Sequence, residues 1–216
     1  MRIVVFGATG AVGSRIVAEA ARRNHDVVGV ARDPDRTPEV GAGVRLVRGD
    51  ATDVPSVVRD IRGADAVVCA ISPRPGANGE PAPSLVDAAR AIIAGARETG
   101  VRRILTVGGA GSLEIAPGKQ LMDQPDFPAA YKPEAIAGRE ALEVWRREGD
   151  GLDWTYISPA AEIKPGERTG KYRTTDDRLL VDDRGKSEIT YEDYAVAVLD
   201  EIENPRHVGK RFGVAY

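Results

Sequence analysis

Three glycines spaced three residues apart are the first feature that could carry chemistry. Gly7-Ala8-Thr9-Gly10-Ala11-Val12-Gly13 follows the apolar run 3–6 and precedes a helical pattern that begins at Val12. In that setting Gly7 permits a tight turn, Gly10 lets backbone approach a pyrophosphate, and Gly13 lets the helix pack close to the strand. The N–H groups at the helix N-terminus then face phosphate oxygens. The chemistry is dinucleotide binding. Spacing alone is a weak signal in a chain with 24 glycines; the strand before it and the helix after it carry the reading.

Other strand ends supply further candidates. Arg32 stands 19 residues after Gly13, at the end of a second strand. Its guanidinium would pair with a ribose 2′-phosphate, which favours NADP(H). Asp33 beside it keeps NAD(H) open, and a solvated Arg32 is the plainer alternative. Asp50 ends a third strand and either accepts from an adenine amino group or holds a strand-end turn. Ala70, Ile71 and Ser72 end a fourth and should run past the cofactor ribose. Gly108-Gly109-Ala110-Gly111-Ser112 follows a fifth, where backbone could pass close to a nicotinamide with the Ser112 hydroxyl as donor. The alternative there is a flexible loop with a solvent-facing serine.

The usual proton relay of alcohol and epimerase chemistry is missing. It pairs a tyrosine with a lysine four residues on, which lowers the tyrosine pKa. The six lysines follow Ile115, Pro128, Ala160, Glu167, Asp182 and Arg206 at that spacing. Tyr131-Lys132 is a local substitute, though adjacent residues need not face each other. Tyr131 therefore joins Ser112 as a candidate catalytic residue, and Phe127 and Tyr131 are candidates for stacking on an acceptor. No metal site is expected: there are only two histidines, His25 and His207, both read as surface residues. Cys69 lies inside an apolar strand and reads as inert core. Asp176-Asp177 and Asp182-Asp183 read as solvated turns. An acceptor that needs little enzymatic acid, a flavin or a quinone, suits the missing relay.

These residues need a scaffold that brings strand ends together. The first half alternates short β-branched runs (3–6, 27–30, 44–47, 66–71, 104–107) with helical patterns over 12–23, from an Asp53 cap, and from a Ser84 cap to about Thr99. The second half predicts helices over 133–148 and 191–203 and strands over 154–157 and 211–214. The rhythm implies an α/β, Rossmann-type doubly wound parallel sheet, because parallel strands need long crossovers. Its ligand belongs at the carboxyl ends of the strands. A single domain over residues 1–216 is expected, with the last third, from about residue 150, as the substrate-side wall. The segment 73–83 is a loop by composition, either a lid or a mobile surface loop.

Composition bounds the function classes. The chain has 216 residues, 30 Lys+Arg and 33 Asp+Glu, for a formal charge of −3. That balance argues against nucleic acid as a partner. No apolar run approaches the ~20 residues that span a membrane, and the N-terminus does not read as a signal peptide. One cysteine allows no intrachain disulfide, so a cytoplasmic, reducing compartment is expected. A monomer or homodimer is expected.

The chain resembles the NAD(P)H-flavin reductase group, atypical members of the short-chain dehydrogenase superfamily related to NmrA-like proteins and to biliverdin reductase B. The resemblance rests on GATGAVGS (7–14), VARDP (30–34), GDATD (49–53), GGAGSLEIAPG (108–118) and DFPAAYKPEA (126–135). It continues through LDWTYISPAAEIKPGERTGKY (152–172) and ITYEDYAVAVLDEIENP (189–205). It implies pyrophosphate on Thr9, Gly10, Ala11, Val12 and Gly13, the 2′-phosphate on Arg32, and adenine on Asp50 and Ala51. Ser112 would lie beside nicotinamide and acceptor, and Pro159 and Ala160 would wall the nicotinamide pocket. The group's label says NADH, whereas Arg32 argues for NADPH. The implied activity is hydride transfer from NAD(P)H to a diffusible flavin or quinone; the alternative is a non-catalytic NAD(P) redox sensor of the NmrA-like kind.

Overall fold

The computed structural model describes residues 1–34, 43–74 and 82–216. Most of the expected 73–83 loop lies outside the described residues. The main strands are β1 (Arg2–Phe6), β2 (Asp26–Ala31), β3 (Val44–Arg48), β4 (Ala66–Cys69), β5 (Arg103–Val107), β8 (Asp153–Ser158) and β12 (Lys210–Ala215). Five helices accompany them among the described residues: α1 (Ala11–Arg22), α2 (Val54–Ile61), α3 (Leu85–Thr99), α4 (Lys132–Glu148) and α5 (Tyr191–Glu203).

Local chemistry accounts for many helix ends. The side chains of Asp53, Ser84 and Thr190 accept from the N–H of Ser56, Asp87 and Asp193 at the starts of α2, α3 and α5. Gly100 in the left-handed region ends α3.

The sheet runs β3-β2-β1-β4-β5-β8-β12, all parallel, with β10 (Arg173–Thr175) antiparallel at the edge. Strand order reverses between β1 and β4, the point where doubly wound sheets open a crevice for ligand. Alternate residues of each strand feed two cores. Ile3 and Val5 join α1 and α5 on one face, whereas Val4 and Phe6 join α2, α3 and α4 on the other. Layers on both faces explain why these strands read as continuous apolar runs.

Several expectations need correction. The fourth strand, expected over 66–71, ends at Cys69, the last residue paired with β1, which itself ends at Phe6, and with β5, at Thr106. Five short strands were not anticipated: the hairpin β6 (Glu114–Ala116) with β7 (Lys119–Gln120), the pair β9 (Glu162–Lys164) with β11 (Glu188–Thr190), and β10. The histidines are not surface residues. Their side chains are only 11% and 17% exposed, and each ring meets a carboxylate: His25 Nε2 with Glu203 at 2.7 Å and His207 Nδ1 with Glu201 at 2.8 Å. Cys69 is buried as expected, and burial pushes its thiol up to about 11.

Candidate functional site

The glycine turn leaves the sheet where the strand order reverses. Gly7 takes φ +77°, and its N–H and that of Ala8 both donate to the Val30 carbonyl at the end of β2. On its other side a Cβ at Gly7 would stand 2.5 Å from the Ala70 carbonyl oxygen. The turn is thus wedged between the ends of β2 and β4. Gly13 answers it from the first turn of α1, where a Cβ would stand 2.0 Å from the Gly7 carbonyl oxygen. Gly10 is the N-cap of α1 and offers no side chain to the helix, and no acidic residue occupies the first turn. Thr9, Gly10 and Ala11 are exposed and Val12 is half-buried. The first N–H groups of α1 therefore point out of the protein without a side-chain acceptor, at the positive end of the helix dipole.

The other candidates line up along neighbouring strand ends. Arg32 is half-buried immediately after β2, and Asp33 beside it lies 3.9 Å from Arg48. Asp50 is part of a turn: its Oδ1 accepts from the N–H and the hydroxyl of Thr52, both at 2.8 Å. Ala51 after it is buried. Ala70 is buried and donates its N–H to the Phe6 carbonyl at 2.9 Å, which holds the end of β4 against β1. Ile71 is half-buried and Ser72 exposed. Pro159 and Ala160 follow β8 and are both buried.

Beyond β5 the glycine cluster is held close to the sheet. The Gly108 N–H donates to the Ile157 carbonyl at 2.7 Å, and a Cβ there would stand 2.0 Å from the Tyr156 ring. Ser112 is not a solvent-facing serine on a flexible loop; it is 4% exposed. Its Oγ and its carbonyl accept from Nη1 of Arg211 at 2.8 and 3.1 Å. Arg211 also donates from Nε to Asp177 at 2.6 Å. Asp177 is accordingly no free turn residue; it pairs with Arg211 and with Arg146. Asp182 keeps its turn role, accepting from the N–H of Arg184 and Lys186.

Tyr131 sits elsewhere on the rim, just before α4, and is 53% exposed. The Arg74 guanidinium lies 5.8 Å from its ring centre and is hydrogen-bonded to Glu134. No hydrogen bond joins Tyr131 to Ser112 among the described residues. Phe127 is half-buried beside the glycine cluster, its ring edge 3.7 Å from where a Gly111 Cβ would stand. Sequence reading missed Arg211. Its signal was a cation inside the apolar run of β12.

A family model described as NAD(P)H-binding matches residues 7–205. The chain belongs to the NAD(P)H-binding family. Over 99% of its length it is 39% identical to an uncharacterized protein, YwnB, from Bacillus subtilis, of which 98% is covered. Among solved structures it is similar to a protein of Burkholderia pseudomallei provisionally named an exported protein, at 46% identity and TM-score 0.88, with all of both chains covered. It is also similar to a Streptococcus pneumoniae protein provisionally named an NADH-flavin reductase, at 31% identity and TM-score 0.84, covering all of this chain and 99% of that one.

The residues of this NAD(P)H-binding protein fit a dinucleotide. The cradle between Gly7, Gly13 and Ala70 has no room for a Cβ, and the end of α1 above it, like that of α4, has no side-chain cap, whereas α2, α3 and α5 have one. Among the described residues, no group of His, Cys, Asp and Glu could hold a metal, and no helix is long and apolar enough to cross a membrane. A cleft of about 620 Å³ opens between α5 and β10, among Tyr172, Asp200, Arg206 and His207. It lies within the stretch 150–216 expected as the substrate-side wall, but none of the individual residues expected to bind cofactor or act in catalysis lines it.

Proposed function

We propose that the protein is a cytoplasmic NADPH-dependent reductase that passes a hydride to a free flavin or quinone-like acceptor. The reading rests on Ser112, a buried hydroxyl after β5 whose proton has no acceptor among the described residues, in a chain without a tyrosine–lysine relay. One donor and no relay suit an acceptor that, after taking the hydride, draws the one proton it still needs from water. The Streptococcus pneumoniae relative's name agrees with such an acceptor, while Arg32 favours NADPH over the NADH of that name.

When bound, the nicotinamide supplies the hydride from its C4. The chain does the rest by position. The N–H groups of α1 with Thr9, Gly10, Ala11, Val12 and Gly13 hold the pyrophosphate, and Arg32 holds the 2′-phosphate. Asp50 and Ala51 hold adenine, and Ala70, Ile71 and Ser72 flank the ribose. Pro159 and Ala160 back the nicotinamide as part of the wall formed by residues 150–216. Ser112 donates a hydrogen bond to the acceptor as it gains negative charge, and Tyr131 offers its exposed ring as a surface for a flat acceptor.

The test is loss of NADPH absorbance with FMN, riboflavin or a quinone. Turnover with at least one, slowed about tenfold or more by Ser112→Ala, is expected. Tight NADPH binding with no turnover on any acceptor would reject the reductase. A redox sensor would then be indicated by different affinities for the oxidised and reduced nucleotide.

A further inference from the structure

Arg211 reaches Ser112 from 99 residues away in the chain. Its register places it beside Tyr156 of β8, inside the sheet, and it is 5% exposed. A guanidinium only donates. In the contact with Nη1 the Ser112 Oγ must therefore be the acceptor, which leaves its O–H as the free end of the hydroxyl. The same Nη1 holds the Ser112 carbonyl, so both the backbone and the side chain of this residue are fixed by one group. Asp177 locks that group in turn through Nε.

Two consequences follow from general chemistry. A cation on a hydroxyl's lone pair polarises its O–H and strengthens it as a donor, an effect that a low-dielectric setting enlarges. A rotamer set in advance is not fixed again in the reaction. Neutralising Asp177 does not account for this arrangement, because Arg146 also pairs with Asp177, at 3.1 Å.

We propose that Arg211 is a positioning residue that aims and acidifies the Ser112 hydroxyl toward the acceptor. The proposal rests on the reductase reading for the role of Ser112. It goes beyond that reading in assigning the donor's strength to a buried cation four strands along the sheet from the glycine turn.

A double-mutant cycle tests it. Arg211→Lys keeps the cation but loses the fork whose Nε holds Asp177 while Nη1 holds the two oxygens of Ser112, so one compact ammonium can no longer be locked by Asp177 and aim Ser112 at once. Expected are a roughly tenfold fall in kcat, an unchanged NADPH Kd, and less than about a twofold further effect of the lysine when Ser112→Ala is already present. Equal losses in both backgrounds would make Arg211 merely structural and overturn the proposal. If Arg211→Lys lowers Tm so far that the cycle is unreadable, Asp177→Asn replaces it, with a smaller loss of the same dependence on Ser112. Quenching of FMN fluorescence by the NADP⁺-saturated protein separates this proposal from the reductase reading. Quenching that Arg211→Lys weakens only while Ser112 is present, in a wild type that turns nothing over, upholds the positioning and rejects the reductase. Absence of both quenching and turnover rejects both.

Discussion

Gly10 and Gly13 stand three residues apart, and a methyl group added to each should act on different properties. At Gly13 the new Cβ would meet the Gly7 carbonyl oxygen at 2.0 Å, and neither backbone can yield. Gly13→Ala should cost about 3 kcal/mol of stability, read from the urea midpoint. At Gly10 the Cβ would lie 3.3 Å from the same oxygen, a contact relieved by a few tenths of an ångström. Gly10→Ala should stay within about 1 kcal/mol of wild type yet lose about tenfold in NADPH affinity, because in the proposed binding mode the methyl stands where the pyrophosphate approaches. Unchanged affinity in a titration would remove the pyrophosphate from this turn. The turn was legible in the sequence because all of its geometry is local: a strand, three glycines and a helix within a dozen residues. Asp50 was half legible, since the turn it closes involves Thr52 two residues on, while any contact with adenine depends on a ligand. Arg211 stood out only as a cation in an apolar run, and its partner was illegible, because nothing near it in the chain announces Ser112. The contact exists only once β12 has paired with β8.

The elements followed the sequence where periodicity was long enough to see. The α5 boundaries agree with the expected residues, and α1 and α4 each begin one residue earlier. Strands of two or three residues carry no period, and their pairing is nonlocal, so β6, β7, β9, β10 and β11 stayed hidden. Ion pairing between elements was hidden as well. Glu19 of α1 is 5% exposed and accepts from Arg22, Arg23 and Arg168. Arg23 continues to Asp200 and Glu203 of α5, at 2.8 and 2.7 Å, so the two helices on one face of the sheet are tied by charge as well as by packing. Burial by itself would raise the Glu19 carboxyl, but the hydrogen bonds from Arg22, Arg168 and Arg23 outweigh it and hold the group well below the usual carboxylate range. A depressed folded pKa stabilises above the unfolded pKa, ~4.3 for glutamate, and that stability fades as pH falls through the folded value. Glu19→Gln should therefore cost about 1–3 kcal/mol at pH 7, and the gap to wild type should narrow steadily in urea melts below about pH 4. A gap constant from pH 7 to pH 2 would show that the carboxylate charge is not what ties α1 to α5.

At the scale of the molecule, the glycine turn contacts the ends of β2 and β4 at once, and Arg32 extends the candidate site along β2. A ligand held there bridges both sides of the strand-order reversal and should stabilise the whole sheet rather than one loop. Mass action sets the size: ligand at about 100 times its Kd adds about 2.7 kcal/mol. In a chain of this length that corresponds to roughly 5–10 °C in Tm. NADPH and NADH share every contact except the 2′-phosphate, so any difference between their shifts reports on the residues around that group. If Arg32 reads the 2′-phosphate as proposed, NADPH should raise Tm more than NADH at equal concentration, and added salt should shrink the difference because Arg32 is only half-buried. Arg32→Glu places a carboxylate against the phosphate and should cost NADPH about 10- to 100-fold in affinity, while NADH keeps most of its effect through a hydrogen bond to the 2′-hydroxyl. The order of the two melting shifts then inverts. Equal losses for both nucleotides would mean that Arg32 supports the turn rather than reading the ribose, and the preference for NADPH would have to come from another residue.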